Sequence, residues 1–255
     1  MRKIYLLFLF LFVPLFAQEK SSTFEPNYYF ANVNINYLDW TNETQKQDTK
    51  DDFVYFGLEG GASWDEGDFY GFFNLENPFD KYSDENPHSM RFSTLANIDI
   101  NIKNNFKFHV QNYHLHSDSF YVNDFVVGAS YKYSSDFGLW LKPFVGAHFT
   151  NSTYYDGFNG YMTGWLFSYN FTLFSQDFNI FQWNEIEFAR EKSFYKGDDG
   201  LPIGDGDSWG LNGAISAWWL INKSFSTGIQ YRYADNKLGS PDYQSAMIYT
   251  ARYHF

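Results

Sequence analysis

The stretch YQSAMIYTARYHF (residues 243–255) alternates large apolar side chains with small or polar ones until the chain ends. The aromatic positions Tyr249, Tyr253 and Phe255 are interrupted by polar positions such as Thr250 and Arg252. A period of two is typical of a β-strand with one apolar face. Because chain ends usually fray, a strand pattern that reaches the last residue indicates that this segment is paired within a sheet.

The same period recurs along the rest of the chain, and no long segment has a helical period. It predicts twelve strands, over residues 28–40, 52–64, 68–76, 88–102, 105–115, 121–134, 138–150, 158–174, 178–190, 208–221, 225–234 and 243–255. Most of these strands exceed the roughly 5–6 residues typical of soluble sheets and match the roughly 9–11 needed to cross a bilayer. In the strand 178–190 the apolar parity changes between Trp183 and Ile186, which predicts a β-bulge.

The connections between these strands alternate between long and short. Bacterial outer-membrane barrels have short periplasmic turns, longer external loops and an even number of strands. The sequence therefore predicts an all-β fold, a twelve-stranded antiparallel transmembrane β-barrel of the bacterial outer membrane, with a secreted β-sandwich as the alternative. The long connections are 41–51, 77–87, 151–157, 191–207 and 234–242, and 116–120 is a brief connection on the same side.

A barrel of this kind has to pair its last strand with its first, 28–40, so that no edge is left unpaired. A terminal Phe255 after alternating aromatic residues also resembles the signal that the outer-membrane assembly machinery reads. Tyr and Trp residues near the strand ends predict aromatic belts at the two membrane surfaces. These residues are Tyr28, Tyr29, Trp40, Trp64, Tyr131, Tyr133, Trp165, Tyr169, Tyr249 and Tyr253.

The N-terminal stretch MRKIYLLFLFLFVPLFAQEK has the parts of a secretory signal in order. A short basic region precedes an apolar run, and Ala17 supplies a small residue for cleavage. We therefore expect a signal peptide over residues 1–17 and a single outer-membrane barrel domain over residues 18–255. The alternative is an uncleaved membrane anchor, although the apolar run is short of the ~18–20 residues of a spanning helix.

The composition excludes several classes of function. The formal net charge of −12 argues against nucleic-acid binding, which relies on basic patches. The chain contains no cysteine, which excludes disulfides, thiol catalysis and cysteine-ligated metals. Aromatic residues make up 23% of the chain, far more than a small soluble core needs.

The stretch YFGLEGGASWDEGDFYGFFNLENP (55–78) resembles the second and third strands of the nucleoside-specific outer-membrane channels, the Tsx/OmpK family. The matching positions are Tyr55, Glu59, Ala62, Asp65 and the run Asp68-Phe69-Tyr70-Gly71-Phe72. The stretches DGFNGY (156–161) and GDDGLPIGDGDSWG (197–210) are similar to the entry of a central strand and to an acidic external loop in that family. The resemblance implies a monomeric barrel with a narrow pore that passes nucleosides down their gradient, and some relatives serve as phage or colicin receptors.

Side-chain parity assigns one face of each strand to a hydrated lumen, where amides and charges are tolerated. A ladder of weak sites suits conduction, and aromatic faces can stack on a base. The alternative role is structural, with Glu59 or Glu76 paired to Arg232 or Arg252; Glu59 and Tyr70 are favoured for solute because they also lie in the family-like stretch. Besides Asn32, the candidate lumen residues are Asn34, Asn36, Tyr55, Glu59, Asp68, Tyr70, Asn74, Glu76, Lys107, His109, Gln111, Gln230, Arg232 and Arg252.

Other motifs give weaker signals, and we expect neither a cofactor nor a metal. His114 and His116 form an imidazole pair without a clear third ligand, and the loop aspartates Asp198, Asp199, Asp205 and Asp207 lack EF-hand spacing. An outer-membrane lipid hydrolase would need a serine activated by a histidine, and none of the six histidines is followed by serine two residues later. The sequence thus predicts a channel for small polar solutes, nucleosides first. A receptor or adhesin barrel with a plugged lumen is the alternative, and the hydrolase is the third hypothesis.

Overall fold

The computed structural model describes residues 25–48, 50–80, 89–118 and 120–255. The predicted signal peptide, residues 1–17, lies outside the described residues. A two-residue strand, Tyr133–Ser134, continues the strand Tyr121–Tyr131 beyond Lys132. The strands are β1 Tyr28–Trp40, β2 Phe53–Ser63, β3 Gly67–Glu76, β4 Arg91–Lys103, β5 Phe106–His116, β6 Tyr121–Tyr131, β7 Leu139–Ser152, β8 Asp156–Leu173, β9 Gln176–Phe188, β10 Gly210–Leu220, β11 Phe225–Asp235 and β12 Gln244–His254.

Each strand pairs antiparallel with the next, and β12 returns to pair with β1. In this closing ladder Asn32 lies opposite His254 and Trp40 lies opposite Ala246. The backbone N–H of Phe255 donates to the carbonyl oxygen of Ala31 at 3.1 Å, so pairing continues to the last residue. The prediction of a closed twelve-stranded barrel is confirmed.

The two faces of the sheet have the polarity of a membrane barrel. On β1, Asn34 and Asn36 point inward and are buried, whereas the side chain of Ile35 is 55% exposed on the outer surface. The outer face carries many more exposed apolar side chains, among them Leu58, Ile98, Phe108, Val145, Ile215, Ile229 and Tyr249. A soluble sandwich would bury these residues, so the secreted sandwich considered from the sequence is wrong.

Two sequence predictions fail at specific positions. Trp40 does not join an aromatic belt, because it lies inside the barrel with only 7% of its surface exposed. The bulge predicted between Trp183 and Ile186 is absent, since β9 pairs without a register shift from Gln176 to Phe188. The parity changes there because Trp183 is an aromatic residue on the inner face, and the bulge of the neighbouring pair β7–β8 lies between Ala147 and Phe149.

The chain termini and the short turns share one end of the barrel, which we call the periplasmic end. The described parts of the longer loops, at the other end, contain two helices, α1 Asn42–Asp48 and α2 Lys192–Tyr195. The helix α1 is joined to β12, because the backbone N–H of Ser245 donates to Thr44 Oγ1 at 3.0 Å. Among the described residues, no helix has the length and hydropathy to cross a membrane.

Candidate solute site in the lumen

Strand register places all fourteen candidate residues of the sequence on the inner face of the barrel, and Asn32 with them. Their exposure divides them into two groups. Five are buried in the wall: Asn34, Asn36, Lys107, His109 and Gln111. Nine are partly exposed and can reach a solute: Tyr55, Glu59, Asp68, Tyr70, Asn74, Glu76, Gln230, Arg232 and Arg252. Contact of these residues with a solute stays a prediction.

Near the middle of the barrel, five residues form a group that we call the Glu59–Arg252 cluster: Asn34, Glu59, Tyr70, Trp218 and Arg252. Arg252 Nη2 lies 2.9 Å from Glu59 Oε2, and Arg252 Nε donates to Asn34 Oδ1 at 2.8 Å. The side chains of Arg252 and Glu59 are 18% and 17% exposed. The pair is therefore held in place while one side of it remains open to the lumen.

An indole ring supports the guanidinium of this cluster. Arg252 Cζ lies 3.8 Å from the centre of the Trp218 ring, a cation–π contact. The ring lies against the wall because Gly228 faces it, and a Cβ at Gly228 would come within 2.5 Å of Trp218 Cε3. Trp218 Nε1 also donates to Ser216 Oγ at 3.0 Å, which fixes the orientation of the ring. The cluster thus combines a planar cation and an aromatic face in one rigid unit.

Two members of the cluster, Tyr70 and Asn34, donate to Glu59, and Asn74 continues the polar wall beside them. Tyr70 Oη donates to Glu59 Oε1 at 3.4 Å, and Asn34 Nδ2 donates to Glu59 Oε2 at 3.3 Å. Gly57 lies between Asn34 and Asn74, and a Cβ at this position would come within 2.8 Å of Asn74 Oδ1. The lack of a side chain at Gly57 lets the two amides line the same stretch of the lumen.

The ion pairs of the wall bear on the structural role considered from the sequence, in which Glu59 or Glu76 pairs with Arg232 or Arg252. Glu59 pairs with Arg252, as that alternative allowed, but Glu76 pairs with Arg91, whose Nε lies 2.5 Å from Glu76 Oε2. Arg232 instead donates from Nη2 to Asn212 Oδ1 at 3.0 Å. Its Cζ lies 5.4 Å from the centre of the Trp183 ring.

The candidates nearest the periplasmic end take part in a second set of ion pairs. Asp68 contacts the Nζ atoms of Lys107 and Lys132, and it accepts a hydrogen bond from Ser63. A cavity of about 440 Å³ opens beside them at the mouth of the barrel. One step further in, the imidazole of His109 lies with Nδ1 2.8 Å from Asp99 Oδ1.

A hydrogen bond crosses the lumen above these pairs. Gln111 Nε2 donates to Glu185 Oε1 at 2.6 Å, although β5 and β9 are separated by three strands. The same amide lies 3.9 Å from Met162 Sδ. This contact reduces the open cross-section of the lumen between β5 and β9.

At the external end, residues 236–243, which we call loop 6, fold inward. Lys237 Nζ contacts Glu187 Oε1 and lies 3.7 Å from Asp124 Oδ2. Burial alone would lower the pKa of Lys237, but the carboxylates of Glu187, Asp124 and Asp205 outweigh it and raise this pKa above its ordinary value. Asp205 also accepts the backbone N–H of Gly239 at 2.8 Å. Loop 6 is thereby held against the barrel wall by charge.

A second lysine links two external loops. Lys50 Nζ donates to the carbonyl oxygen of Leu238 at 2.9 Å and lies 5.4 Å from the centre of the Trp40 ring. Burial, together with the positive charge of Arg91, lowers the pKa of Lys50 to about 8. Lys50 therefore joins the connection between β1 and β2 to loop 6.

The structure also places the minor motifs of the sequence. His114 and His116 lie on the face of β5 that points away from the lumen, with ring centres 6.1 Å apart. The four loop aspartates do not converge: Asp205 faces Arg190, whereas Asp207 accepts from the backbone N–H of Ser208. In the described part of the chain, the single group of three residues with metal-ligand geometry is a different one, formed by Asp124, His148 and Glu187.

A serine–histidine contact is present although the sequence lacks the H-x-S pattern. Ser226 Oγ lies 2.9 Å from His254 Nε2, and His254 Nδ1 lies 2.7 Å from Asn32 Oδ1. Ser226 and Asn32 are only 3% and 4% exposed. A nucleophile has to reach its substrate, and this hydroxyl is enclosed by the seam between β11, β12 and β1.

Sequence reasoning missed several residues of the lumen. Parity would have indicated Glu185 on β9 and Trp218 on β10, because each is followed by an outward apolar residue, Ile186 and Trp219. Trp183 gives no such signal, because it lies between the polar residues Gln182 and Asn184. No periodic signal marks Lys237, which enters the barrel from a loop.

A closed barrel of twelve long strands, with an apolar outer face and a lumen lined by amides, charges and aromatic rings, defines a channel of the bacterial outer membrane. A family model described as "Nucleoside-specific channel-forming protein, Tsx" matches residues 35–255. The chain belongs to this family, so the resemblance noted in the sequence is confirmed.

Solved porin structures are similar in fold. The NanC porin matches with a TM-score of 0.54 and 8% sequence identity, over 87% of this chain and 98% of that chain. The KdgM porin matches with a TM-score of 0.48 and 9% identity, over 88% of this chain and 99% of that chain. At this identity, the NanC comparison supports the fold alone.

Proposed function

We propose that the chain passes nucleosides across the outer membrane by passive, selective diffusion. The description of its family supports this solute class. The observation that carries the proposal is the Glu59–Arg252 cluster, because it presents to the lumen the partly exposed ring of Tyr70 for stacking and the partly exposed charges of Glu59 and Arg252 for hydrogen bonding. A nucleoside presents a flat base and sugar hydroxyls, which need these two kinds of partner.

The expected site is weak, as conduction requires. Base–aromatic stacking contributes on the order of 1–3 kcal/mol in nucleic-acid systems. Glu59 accepts hydrogen bonds from sugar hydroxyls, and the Arg252 guanidinium donates to acceptors on the base or the sugar. A solute that bound more tightly would be held in the lumen instead of released.

Planar-bilayer conductance tests this function directly. We expect the refolded barrel to give small single-channel steps that nucleosides block, and liposomes containing the barrel to gain nucleoside permeability. A barrel with conductance that nucleosides do not block would retain the channel function and contradict the solute class. A barrel without conductance or permeability would contradict the channel proposal itself.

The second candidate is a receptor or adhesin barrel with a plugged lumen. The hydrogen bond from Gln111 to Glu185 favours it, because it spans the lumen between strands that are not neighbours. This candidate would be supported if the wild type showed no conductance and the variant Gln111→Ala did.

We also propose that the barrel is monomeric, that Phe255 is recognised during outer-membrane assembly, and that the chain is not a hydrolase. Phe255→Ser is expected to reduce the amount of barrel assembled in cells without impairing refolding in detergent.

For the hydrolase, the enclosed Ser226 supports the expectation that phospholipid vesicles release no fatty acid. A serine-directed reagent that labelled Ser226 in the folded barrel would contradict that expectation.

A further inference from the structure

The external end of the lumen contains a buried group of side chains that solute passage does not require. Asp124 on β6, His148 on β7 and Glu187 on β9 are all buried, and their ligand atoms lie within 4.8 Å of one another. An imidazole nitrogen and two carboxylates are a common ligand set for zinc and related divalent metals.

One ring nitrogen of His148 is buried beside a carboxylate and has no hydrogen-bond partner. Its Nε2 lies 3.1 Å from Asp124 Oδ1 and 3.3 Å from Thr150 Oγ1. Its Nδ1 is buried, has no hydrogen-bond partner, and lies 4.0 Å from Glu187 Oε2. When Nε2 carries the proton and donates to Asp124, the Nδ1 lone pair faces a carboxylate, and this contact becomes favourable when Nδ1 is itself protonated or when a cation lies between the two atoms.

Lys237 shows that the carboxylates accept a cation. Its Nζ contacts Glu187 Oε1 and lies 3.7 Å from Asp124 Oδ2. This ammonium belongs to loop 6 and not to a barrel strand, so it can leave when the loop moves while the three ligands stay fixed on the wall. Arg190 brings a second positive charge to this group, because its Nε lies 2.8 Å from Glu187 Oε2.

We propose that Asp124, His148 and Glu187 form a binding site for a divalent transition metal of the zinc class, and that the metal exchanges with the ammonium of Lys237. Nitrogen ligation through His148 disfavours Ca²⁺ and Mg²⁺, which select oxygen ligands. Binding of the metal frees Lys237, and with it one of the charged contacts that hold loop 6 against the wall.

Metal titration of the untagged, refolded barrel tests this site. Co²⁺ is the probe, because its visible absorption reports coordination, and Zn²⁺ serves as the competitor. We expect Lys237→Met to bind one Co²⁺ at least tenfold more tightly than the wild type, with displacement by Zn²⁺ but not by Ca²⁺. The added change His148→Gln is expected to abolish this binding.

The matched control is His114→Gln with His116→Gln in the Lys237→Met background, because these two neighbouring imidazoles lie outside the lumen and could bind Co²⁺ on their own. It is expected to leave the titration unchanged. Equal Co²⁺ affinity in the wild type and Lys237→Met, or binding that survives His148→Gln, would overturn the proposal. If Lys237→Met does not fold, the wild type is compared with His148→Gln by Zn²⁺-dependent thermal shift, and equal shifts overturn it.

Discussion

Arg252 and Glu59 form an ion pair, with 2.9 Å between Nη2 and Oε2, that joins the last strand to the second strand across the first. Asn34 lies between them on β1 and contacts both side chains. The candidate site is therefore built on the seam where the barrel closes. It can exist only after the first and last strands have paired.

Replacing Glu59 tests the cluster directly. Glu59→Ala removes the acceptor of Arg252 and Tyr70, and hydrogen bonds to charged groups contribute about 1.5–3 kcal/mol. We expect nucleoside block of the conductance to weaken by about tenfold, since 1.4 kcal/mol corresponds to a factor of ten. Asp136→Ala, the same charge change on an exposed periplasmic turn, is the control and should leave block unchanged. Loss of the compact, unheated band on SDS gels in Glu59→Ala would point to a structural role.

Gly228 tests the support of the cluster without changing its charge. The Cβ of Gly228→Ala would come within 2.5 Å of Trp218, so the indole is expected to move and Arg252 to lose its aromatic contact. We expect weaker nucleoside block with an unchanged strand signal in circular dichroism. Gly197→Ala is the control, because its Cβ would meet the flexible side chain of Asp199 and would approach Ile203 only to an ordinary contact distance of 3.6 Å. Block as strong as in the wild type would show that the indole position is irrelevant.

Lys50 gives a pH-dependent prediction. Its pKa is lowered to about 8 from an ordinary value of 10.5, first by burial and then by Arg91. Between these two pH values the folded state loses the proton before the unfolded chain does, so the contribution of Lys50 to stability improves as pH rises through this window. Below about pH 8 both states are protonated, and the cost of the buried charge is constant.

The pH dependence of acylation at Lys50, followed by mass spectrometry, measures this pKa. The rate is expected to reach half its maximum near pH 8, because only the neutral amine reacts. Arg91→Gln should move the midpoint upward. A midpoint near 10.5 in the wild type would contradict the burial of this ammonium.

Disulfide formation tests the closing register. Asn36 and Thr250 lie directly opposite each other, and Thr250 Oγ1 donates to Asn36 Oδ1 at 2.7 Å. Asn36→Cys with Thr250→Cys is expected to form a disulfide on oxidation and to keep the barrel folded on unreduced gels at higher temperature. Asn36→Cys with Ile248→Cys, offset by two residues on the same face, is the control. Efficient oxidation of the control pair alone would mean that the strands pair in another register.

Parity explains why much of the architecture could be predicted from the sequence. Because side chains alternate along a strand, Asn34 and Asn36 identify the face of β1 that lines the hydrated lumen. The pairing of β1 with β12 then places Arg252 on the same face. A lipid-facing surface tolerates few exceptions, so the pattern is strong. Inner faces tolerate aromatic residues as well. For this reason the inward Trp183 led to the wrong prediction of a bulge, and the inward Trp40 was wrongly predicted to lie in an aromatic belt.

The contacts between individual lumen side chains could not be predicted in the same way. Glu76 pairs with Arg91 because β3 and β4 bring them opposite each other, and a register slip would separate them. Gln111 meets Glu185 only because the barrel is narrow enough for two side chains to span it. The position of Lys237 depends on the path of loop 6, and a loop has no sequence period from which its path could be predicted.

The closing ladder also determines when this protein can fold. The contact between Asn32 and His254 joins positions 222 residues apart, a separation close to the whole length of the chain. Contacts of such high sequence separation form late and slowly. Until the strand ending at His254 is available, an emerging chain is an open sheet with two unpaired edges, prone to aggregation and to proteolysis. Premature termination of synthesis should therefore yield degraded protein and not a leaky membrane.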